Sequence, residues 1–304
     1  HYLGNPASVT PNLDALVEDG VGFRNAYCQN PVCVPSRCSF LSGLYPHTTG
    51  HRTMHFLQRE DEPNILRTMK NAGYEVIWIG RNDVVPGNRT KEEYCDAYYD
   101  GIHEEDTKSV LSPMNISHGN KREWNDDMYS FYIGNVPGYG KMDEGCVKAC
   151  LKYLDEKAKS KDDRPFFVYC TLSFPHPPYG VGEPWYSSID RNRLPPRKPW
   201  CPHKADMLVK TADRQKLHGW SEERWNELRA VYLGMVAKWD DQLGQVVNNL
   251  KEHGFYDNTS IFTFSDHGDY TGDYDIVEKL QNCFENDFSN IPLLIKPAKQ
   301  FACT

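Results

Sequence analysis

No stretch of the 304 residues is apolar for long enough to cross a bilayer, and a mean hydropathy of −0.67 excludes a spanning helix. A basic excess is missing too: 34 Lys and Arg face 42 Asp and Glu, a formal charge of −8. This argues against a nucleic-acid binder, which would carry a basic face. It does not exclude an anionic ester as substrate, provided that cations converge locally. The ten cysteines lack the paired spacing of a zinc site. If one were consumed by modification an odd number would remain, which fits reduced thiols slightly better than a disulfide framework. That slightly favours a cytoplasmic location for the chain as it stands, whereas an exported or lysosomal one goes with a removed signal peptide; none is visible before His1. Sequons at Asn88, Asn115 and Asn258 arise by chance in an Asn-rich chain. His1 to Ser8 contains no carboxylate.

What is present centres on Cys33-Val34-Pro35-Ser36-Arg37, continued by Cys38-Ser39-Phe40-Leu41-Ser42-Gly43. Proline is expected at the first helical position and Gly43 at the stop. A helix start aims unpaired N–H groups and partial positive charge at whatever lies beside Cys33, and Arg37, one turn on, adds a fixed cation. The stretch reads as an anion site with a reactive group beside it. A buried thiol that merely closes a helix end is the alternative.

This run resembles the signature of the type I sulfatases of the alkaline phosphatase superfamily, C-x-P-S-R-x-x-x-L-x-G, matched by Cys33, Pro35, Ser36, Arg37, Leu41 and Gly43. The resemblance implies that Cys33 is converted by a maturation enzyme to formylglycine, whose hydrate is the nucleophile. It starts upstream, where Thr10-Pro11-Asn12-Leu13-Asp14-Ala15-Leu16 matches a T-P-N-L-D-x-L helix of the family. Sulfatases also carry an aspartate pair at the end of a preceding strand, and nothing before Thr10 supplies it. Either the natural protein begins earlier or the metal site is defective.

Farther along, a helix from Asn64 to Asn71 and a buried strand from Tyr74 to Gly80 are expected. The family ends that strand with a G-K-W-H-like run; here Gly80-Arg81-Asn82-Asp83 stands there. The resemblance makes Arg81 a substrate-binding cation, while Asp83 is either catalytic or a partner for Arg81. His47 and His51 are more naturally solvated loop residues than stand-ins for the missing histidine. The polar 84–135 stretch holds an acidic pair, Asp126-Asp127, and aromatics at Trp124, Tyr129, Phe131 and Tyr132 that either stack on a sugar or pack the loop down. Asp143 to Lys159 forms an amphipathic helix and Phe166 to Leu172 a buried strand, after which His176 falls where open α/β sheets gather ligands. The family has an H-x-P histidine in a similar setting. Residues 180–219, rich in proline and aromatics, read as a rim that selects the alcohol part of the substrate, or as a cover over the sheet. Ser221 caps a long helix that Gly254 stops. The strand Ser260 to Phe264 then delivers Asp266 and His267; the resemblance makes Asp266 a calcium ligand, with His267 either a second ligand or a group that orients the bound anion, and Cys33 completing the metal ligands. Lys279 matches a sulfate-holding lysine, and Pro292 to Ile295 a final strand.

The expected fold is α/β, a doubly wound, mostly parallel sheet with helices on both faces. The chain is read as one domain, 1–304, lacking the family's first strand and C-terminal subdomain. The implied activity is hydrolysis of a small-molecule or carbohydrate sulfate ester, with Cys33, Arg37 and His176 catalytic, Arg81 and Lys279 on the substrate, and Ca2+ or Mg2+ as cofactor. Nucleic acid and membrane are not expected partners. Two alternatives are kept: a phosphoester or phosphonate monoester hydrolase of the same superfamily, and an inactive pseudo-sulfatase or non-catalytic fragment.

Overall fold

The computed structural model describes residues 2–100, 132–201, 203–281 and 283–301. Asp126-Asp127, Trp124, Tyr129, Phe131 and Asn115 lie outside the described residues. Helix α1 (Pro11–Glu18) has proline in its first turn and buries Leu13 and Leu16. Thr10 precedes it but makes no side-chain bond to the helix backbone. Strand β1 (Val21–Tyr27) is mostly exposed; its polar, Gly-containing sequence shows no buried run, so periodicity alone does not find it. Then come α2 (Cys33–Ser42), α3 (Pro46–Thr49) and α4 (Ile65–Asn71), with the Asn64 side chain accepting from the Leu66 N–H.

Strand β2 (Glu75–Gly80) is buried on both faces. It pairs in parallel with β3 (Ala97–Tyr99) on one side and β5 (Phe166–Thr171) on the other, Ile77 standing opposite Ala97 and Val168. Because strand side chains alternate, Val76 and Trp78 point to one face, among Val34, Cys38 and Leu41 of α2 and Leu66 of α4. Ile77 and Ile79 point to the other, against Cys146, Ala149, Cys150 and Leu154 of α5 (Lys141–Lys159). Each such fully buried apolar side chain contributes roughly 1.5–3 kcal/mol, and this two-sided burial is the doubly wound arrangement expected.

Strand β4 (Tyr132–Asn135) pairs in parallel with β6 (Tyr179–Val181). Residues 180–219 include α6 (Asp206–Gln215), and Trp185 and Tyr186 pack against the 31-residue helix α7 (Glu222–Glu252), whose cap is the Ser221 hydroxyl. Strand β7 (Ile261–Phe264), the one-turn α8 (Asn286–Ser289) and β8 (Asn290–Lys296) follow. β8 runs antiparallel to both β1 and β7, giving a second three-stranded sheet in the order β1-β8-β7. β5 and β7 are thus edge strands of their sheets, bridged on one face by the Phe40 ring, 5.0 Å from that of Phe264 and 6.5 Å from that of Tyr169. Among the described residues no helix is long and apolar enough to cross a membrane.

The carboxyl ends of β2, β5 and β7 converge. Gly80 ends β2 at φ +91°, where a Cβ would fall 2.0 Å from the Thr171 carbonyl oxygen, so only glycine lets β2 turn out this close to β5. Arg81, His176 and Asp266 follow these three ends, and α2 brings Cys33 to meet them.

Candidate active site

Cys33 is the first residue of α2, after an extended Val32. Pro35 is therefore third in the helix rather than first, a shift the helix tolerates because its first four N–H groups have no internal partner. Gly43 closes the helix at φ 73° as expected. The Ser36 hydroxyl donates to the Asp266 carbonyl at 2.6 Å and Arg37 Nε to Asp266 Oδ2 at 3.0 Å, so α2 is tied to the end of β7 by two bonds.

The Cys33 Sγ lies 3.2 Å from His267 Nε2, and the His176 ring is near enough to favour the thiolate form. Both rings are oriented by backbone: His267 Nδ1 donates to the Gly268 carbonyl at 2.8 Å and His176 Nδ1 to the Pro177 carbonyl at 2.6 Å. Each ring thereby keeps its Nε2 for the site. Lys279 Nζ is 2.7 Å from His176 Nε2. Cys33, Arg37, His176, Asp266, His267 and Lys279 are brought together. Arg81 stands outside this group, half-exposed, with Nε donating to Asp83 Oδ1 at 3.1 Å. Asp83 also faces Arg37 Nε at 3.7 Å, which makes it the carboxylate between two arginines. His47 stacks on Tyr45 at 5.7 Å. His51 departs from its expected solvated place: it is buried, with Nε2 2.8 Å from Glu62 Oε2.

Burial would push the Cys33 thiol up, and Asp266 adds to this, but the His176 and His267 rings and the Lys279 charge outweigh both and lower it from 9.0 to about 5. Asp266 would also be raised by burial, yet the Arg37 guanidinium and His267 hold it well below the usual carboxylate range. For His267 burial lowers the pKa, whereas Asp266 and Cys33 raise it, with a net upward shift. At pH 7 an unconverted Cys33 is then mostly thiolate, the reverse of an unperturbed thiol. The thiolate ultraviolet band of the unconverted protein should rise with a midpoint near pH 5 and be missing from Cys33→Ser. Burial pushes Cys28, Cys38, Cys146 and Cys150 up to about 12, so they are silent there. His267→Asn should move the midpoint toward 9; an unmoved midpoint would rule out the imidazole as its cause.

Sequence reasoning missed Tyr179 and Asp269. The buried Tyr179 hydroxyl donates to both Asp269 oxygens, at 3.0 and 2.9 Å, and accepts from the Glu278 N–H at 3.0 Å. Glu278 has φ 66°, a left-handed conformation that a side chain adopts only when held. The clamp thus fixes the backbone immediately before Lys279, and it joins that segment to the His176 loop. Its only sequence signal is a polar ring inside an otherwise apolar strand. Tyr179→Phe, measured on an anionic ester, should cost about 10-fold in kcat/KM, chiefly through KM. Stability should fall by only about 1 kcal/mol; unchanged KM would show that the clamp does not position Lys279.

Cys33, Asp266 and His267 offer one ligand atom each, all within 4.8 Å of one another, and are a possible metal site. Calcium takes six to eight oxygens and magnesium a near-ideal octahedron. Among the described residues the cluster supplies one carboxylate, whose Oδ2 is already held by Arg37, with one nitrogen and one sulfur. By itself this set does not fit either hard ion. All nine described cysteines are free.

An α/β sheet whose strand ends surround an ionisable group at a helix start, with cations beside it, is a frame suited to binding an anion. The chain belongs to the Sulfatase family, whose model matches residues 1–302. Among curated relatives it is 26% identical to the multifunctional alkaline phosphatase superfamily protein PehA of Trinickia caryophylli, over 97% of this chain and 64% of the relative. It is also 26% identical to the ulvan-active sulfatase of Formosa agariphila, over 97% of this chain and 52% of the relative. Human N-acetylglucosamine-6-sulfatase is again 26% identical, over 97% of this chain and 53% of that enzyme. The phosphonate monoester hydrolase of Agrobacterium radiobacter superposes with a TM-score of 0.73 at 22% identity, over 97% of this chain and 64% of that one. A 2-O GAG sulfatase gives 0.62 at 19%, over 95% and 58%. The chain therefore spans about half to two thirds of the length of these relatives.

Proposed function

We propose that the protein hydrolyses a sulfate monoester at position 33. The observation that carries this reading is the convergence on Cys33 of His267 and the His176–Lys279 pair, beside the Arg37–Asp266 pair. The family and the relatives' names support sulfate as the anion. Formylglycine, formed from Cys33 by a maturation enzyme, supplies the attacking oxygen as its hydrate. His267 Nε2, made more basic by Asp266, takes the proton of the group at position 33. Lys279 and the buried Arg37 Nη1, which has no acceptor among the described residues, offset charge on the transferring group. The bond from sulfur to the ester oxygen breaks as the attacking oxygen bonds to sulfur, and the Lys279 ammonium, held on His176 Nε2, gives the departing alcohol a proton. The second hydroxyl of the hydrate then loses its proton as the carbon–oxygen bond to the sulfated oxygen breaks, which releases sulfate and leaves an aldehyde that water rehydrates. Arg81 holds the outer part of the ester. Asp266, His267 and Cys33 by themselves do not fit a hard divalent cation, and no step is assigned to one.

The test is a side-by-side rate measurement on an aryl sulfate and an aryl phosphonate, with mass spectrometry of the Cys33 peptide. Faster sulfate turnover by converted protein is expected. Faster phosphonate turnover would move the assignment to the phosphonate monoester hydrolases. Full conversion with neither activity would end the hydrolase reading.

A further inference from the structure

The backbone that leads into Lys279 is one that side chains seldom permit. Thr271, Tyr274, Asp275 and Glu278 stand at positive φ, 47°, 57°, 56° and 66°, with Gly272 among them at 100°. In that region the Cβ of an L-residue crowds the next carbonyl, so the chain leaves it unless its surroundings hold it there. Asp266 and His267 precede this segment and Lys279 ends it, with Nζ 2.7 Å from His176 Nε2. None of residues 270–278 takes part in the chemistry described above, so what the strained backbone is held for is the residue it delivers.

The restraint comes from residues 197–218, which include α6. Arg197 Nη1 donates to the Gly272 carbonyl at 3.1 Å and to Asp275 Oδ1 at 2.5 Å. Lys198 gives its N–H to Asp273 Oδ1 at 2.8 Å, and its carbonyl accepts the Tyr274 N–H at 2.9 Å. His218 Nδ1 lies 3.0 Å from Asp275 Oδ2, so the buried Asp275 carboxylate is gripped at both oxygens.

Gln215, the last residue of α6, acts nearest to Lys279. It is buried, and it crosses 62 positions of chain to meet Val277: its Nε2 donates to the Val277 carbonyl at 3.0 Å and its Oε1 accepts the Val277 N–H at 3.1 Å. A carboxamide matched to both polar groups of one residue imitates a strand partner, which fixes that peptide in direction as well as in place. The following N–H, of Glu278, goes to the Tyr179 hydroxyl at 3.0 Å. The two peptides before Lys279 are thus held by side chains from distant parts of the chain, and a neutral residue, Gln215, holds one of them.

We propose that Gln215, together with Arg197 and His218 acting on Asp275, forms a brace that positions Lys279: it keeps the 271–278 backbone in a conformation that segment would otherwise leave, and so fixes the ammonium beside His176. The brace takes its meaning from the hydrolase reading, which gives Lys279 its task, but its test does not depend on turnover. The test is a double-mutant cycle read by calorimetry with inorganic sulfate. Gln215→Met keeps the length and neutrality of the side chain and removes both bonds to Val277. It should weaken sulfate binding about 10-fold, as should Lys279→Met, and the double variant should bind within about 2-fold of Lys279→Met alone. Losses that add would mean that Gln215 acts on something other than Lys279, and an unchanged affinity in Gln215→Met would mean that it does not act on the site; either overturns the proposal. Asp275→Asn keeps the test decisive if Gln215→Met folds poorly. Removing a negative charge by itself tightens an anion, whereas a loosened brace weakens it, so tighter or unchanged sulfate binding in Asp275→Asn overturns the proposal. Hydrogen exchange of the unliganded protein gives a second reading: residues 276–281 should exchange faster in either variant than in the parent, with 141–159 unchanged. If the parent binds sulfate no more tightly than Lys279→Met does, the exchange result decides alone, faster exchange supporting the brace and equal exchange ending it. Absence of aryl sulfate turnover by the converted parent would overturn the hydrolase reading and leave both measurements standing.

Discussion

Replacing Cys33 by alanine is expected to lower aryl sulfate turnover by at least about 10⁴-fold, because the group that makes the covalent step is then missing while its neighbours act on nothing. The substitution removes one buried sulfur from a helix whose other contacts, Val34, Cys38 and Leu41 against the sheet, are untouched. Thermal unfolding should therefore change little, and the pairing of lost activity with a retained transition separates chemistry from folding. Residual turnover above a few per cent in the purified variant would place the nucleophile elsewhere, and the role given to His267 would fall with it.

Arg37→Met should damage both fold and function. Arg37, Asp266 and Asp83 have side chains only 11%, 18% and 11% exposed, so removing the guanidinium leaves two carboxylates poorly solvated and uncompensated. Breaking a buried pair from one side costs about 3–5 kcal/mol, and the lost charge near the transferring group should cost a further 10²–10³-fold in kcat. The sign of the pH dependence follows from Asp266. Its folded pKa is depressed, so the stability it contributes is complete above the unfolded carboxylate value near 4 and is lost as pH falls through the folded one. In Arg37→Met the carboxyl can protonate at a higher pH. The deficit in urea midpoint should therefore be largest at pH 7 and shrink below about pH 4. A deficit equal at both pH values would mean that lost packing, and not charge, is responsible.

Much of this site was legible before any coordinates. The cysteine run came from residue types at fixed spacing, Asp266-His267 from its place at a strand tip together with the family resemblance, and Lys279 from the resemblance alone, while strands such as Phe166 to Thr171 came from short apolar runs bounded by turns. Asp83 could be read two ways, because sequence cannot say how many arginines surround a carboxylate; the partner reading is the one the contacts favour, with Arg37 as a second partner that spacing gave no reason to expect. His51 looked like a loop residue because its neighbours Thr48, Thr49 and Gly50 are polar or small, yet Glu62 meets it across eleven positions of chain.

The sequence by itself determined the local chemistry: a helix that begins beside Cys33, with Pro35 expected at its first position, and stops at Gly43, an anion-friendly N-terminus, and alternating apolar segments that must form a sheet covered on both faces. Only the tertiary structure decided that the surroundings of Cys33 draw its thiol pKa down, since that depends on His176, His267 and Lys279 arriving from distant strand ends and loops. It also decided that the Tyr179 hydroxyl meets Asp269 and the Glu278 N–H, next to Lys279. Backbone propensity acts over a few residues, whereas charge, desolvation and shape depend on what the fold brings within a few ångströms.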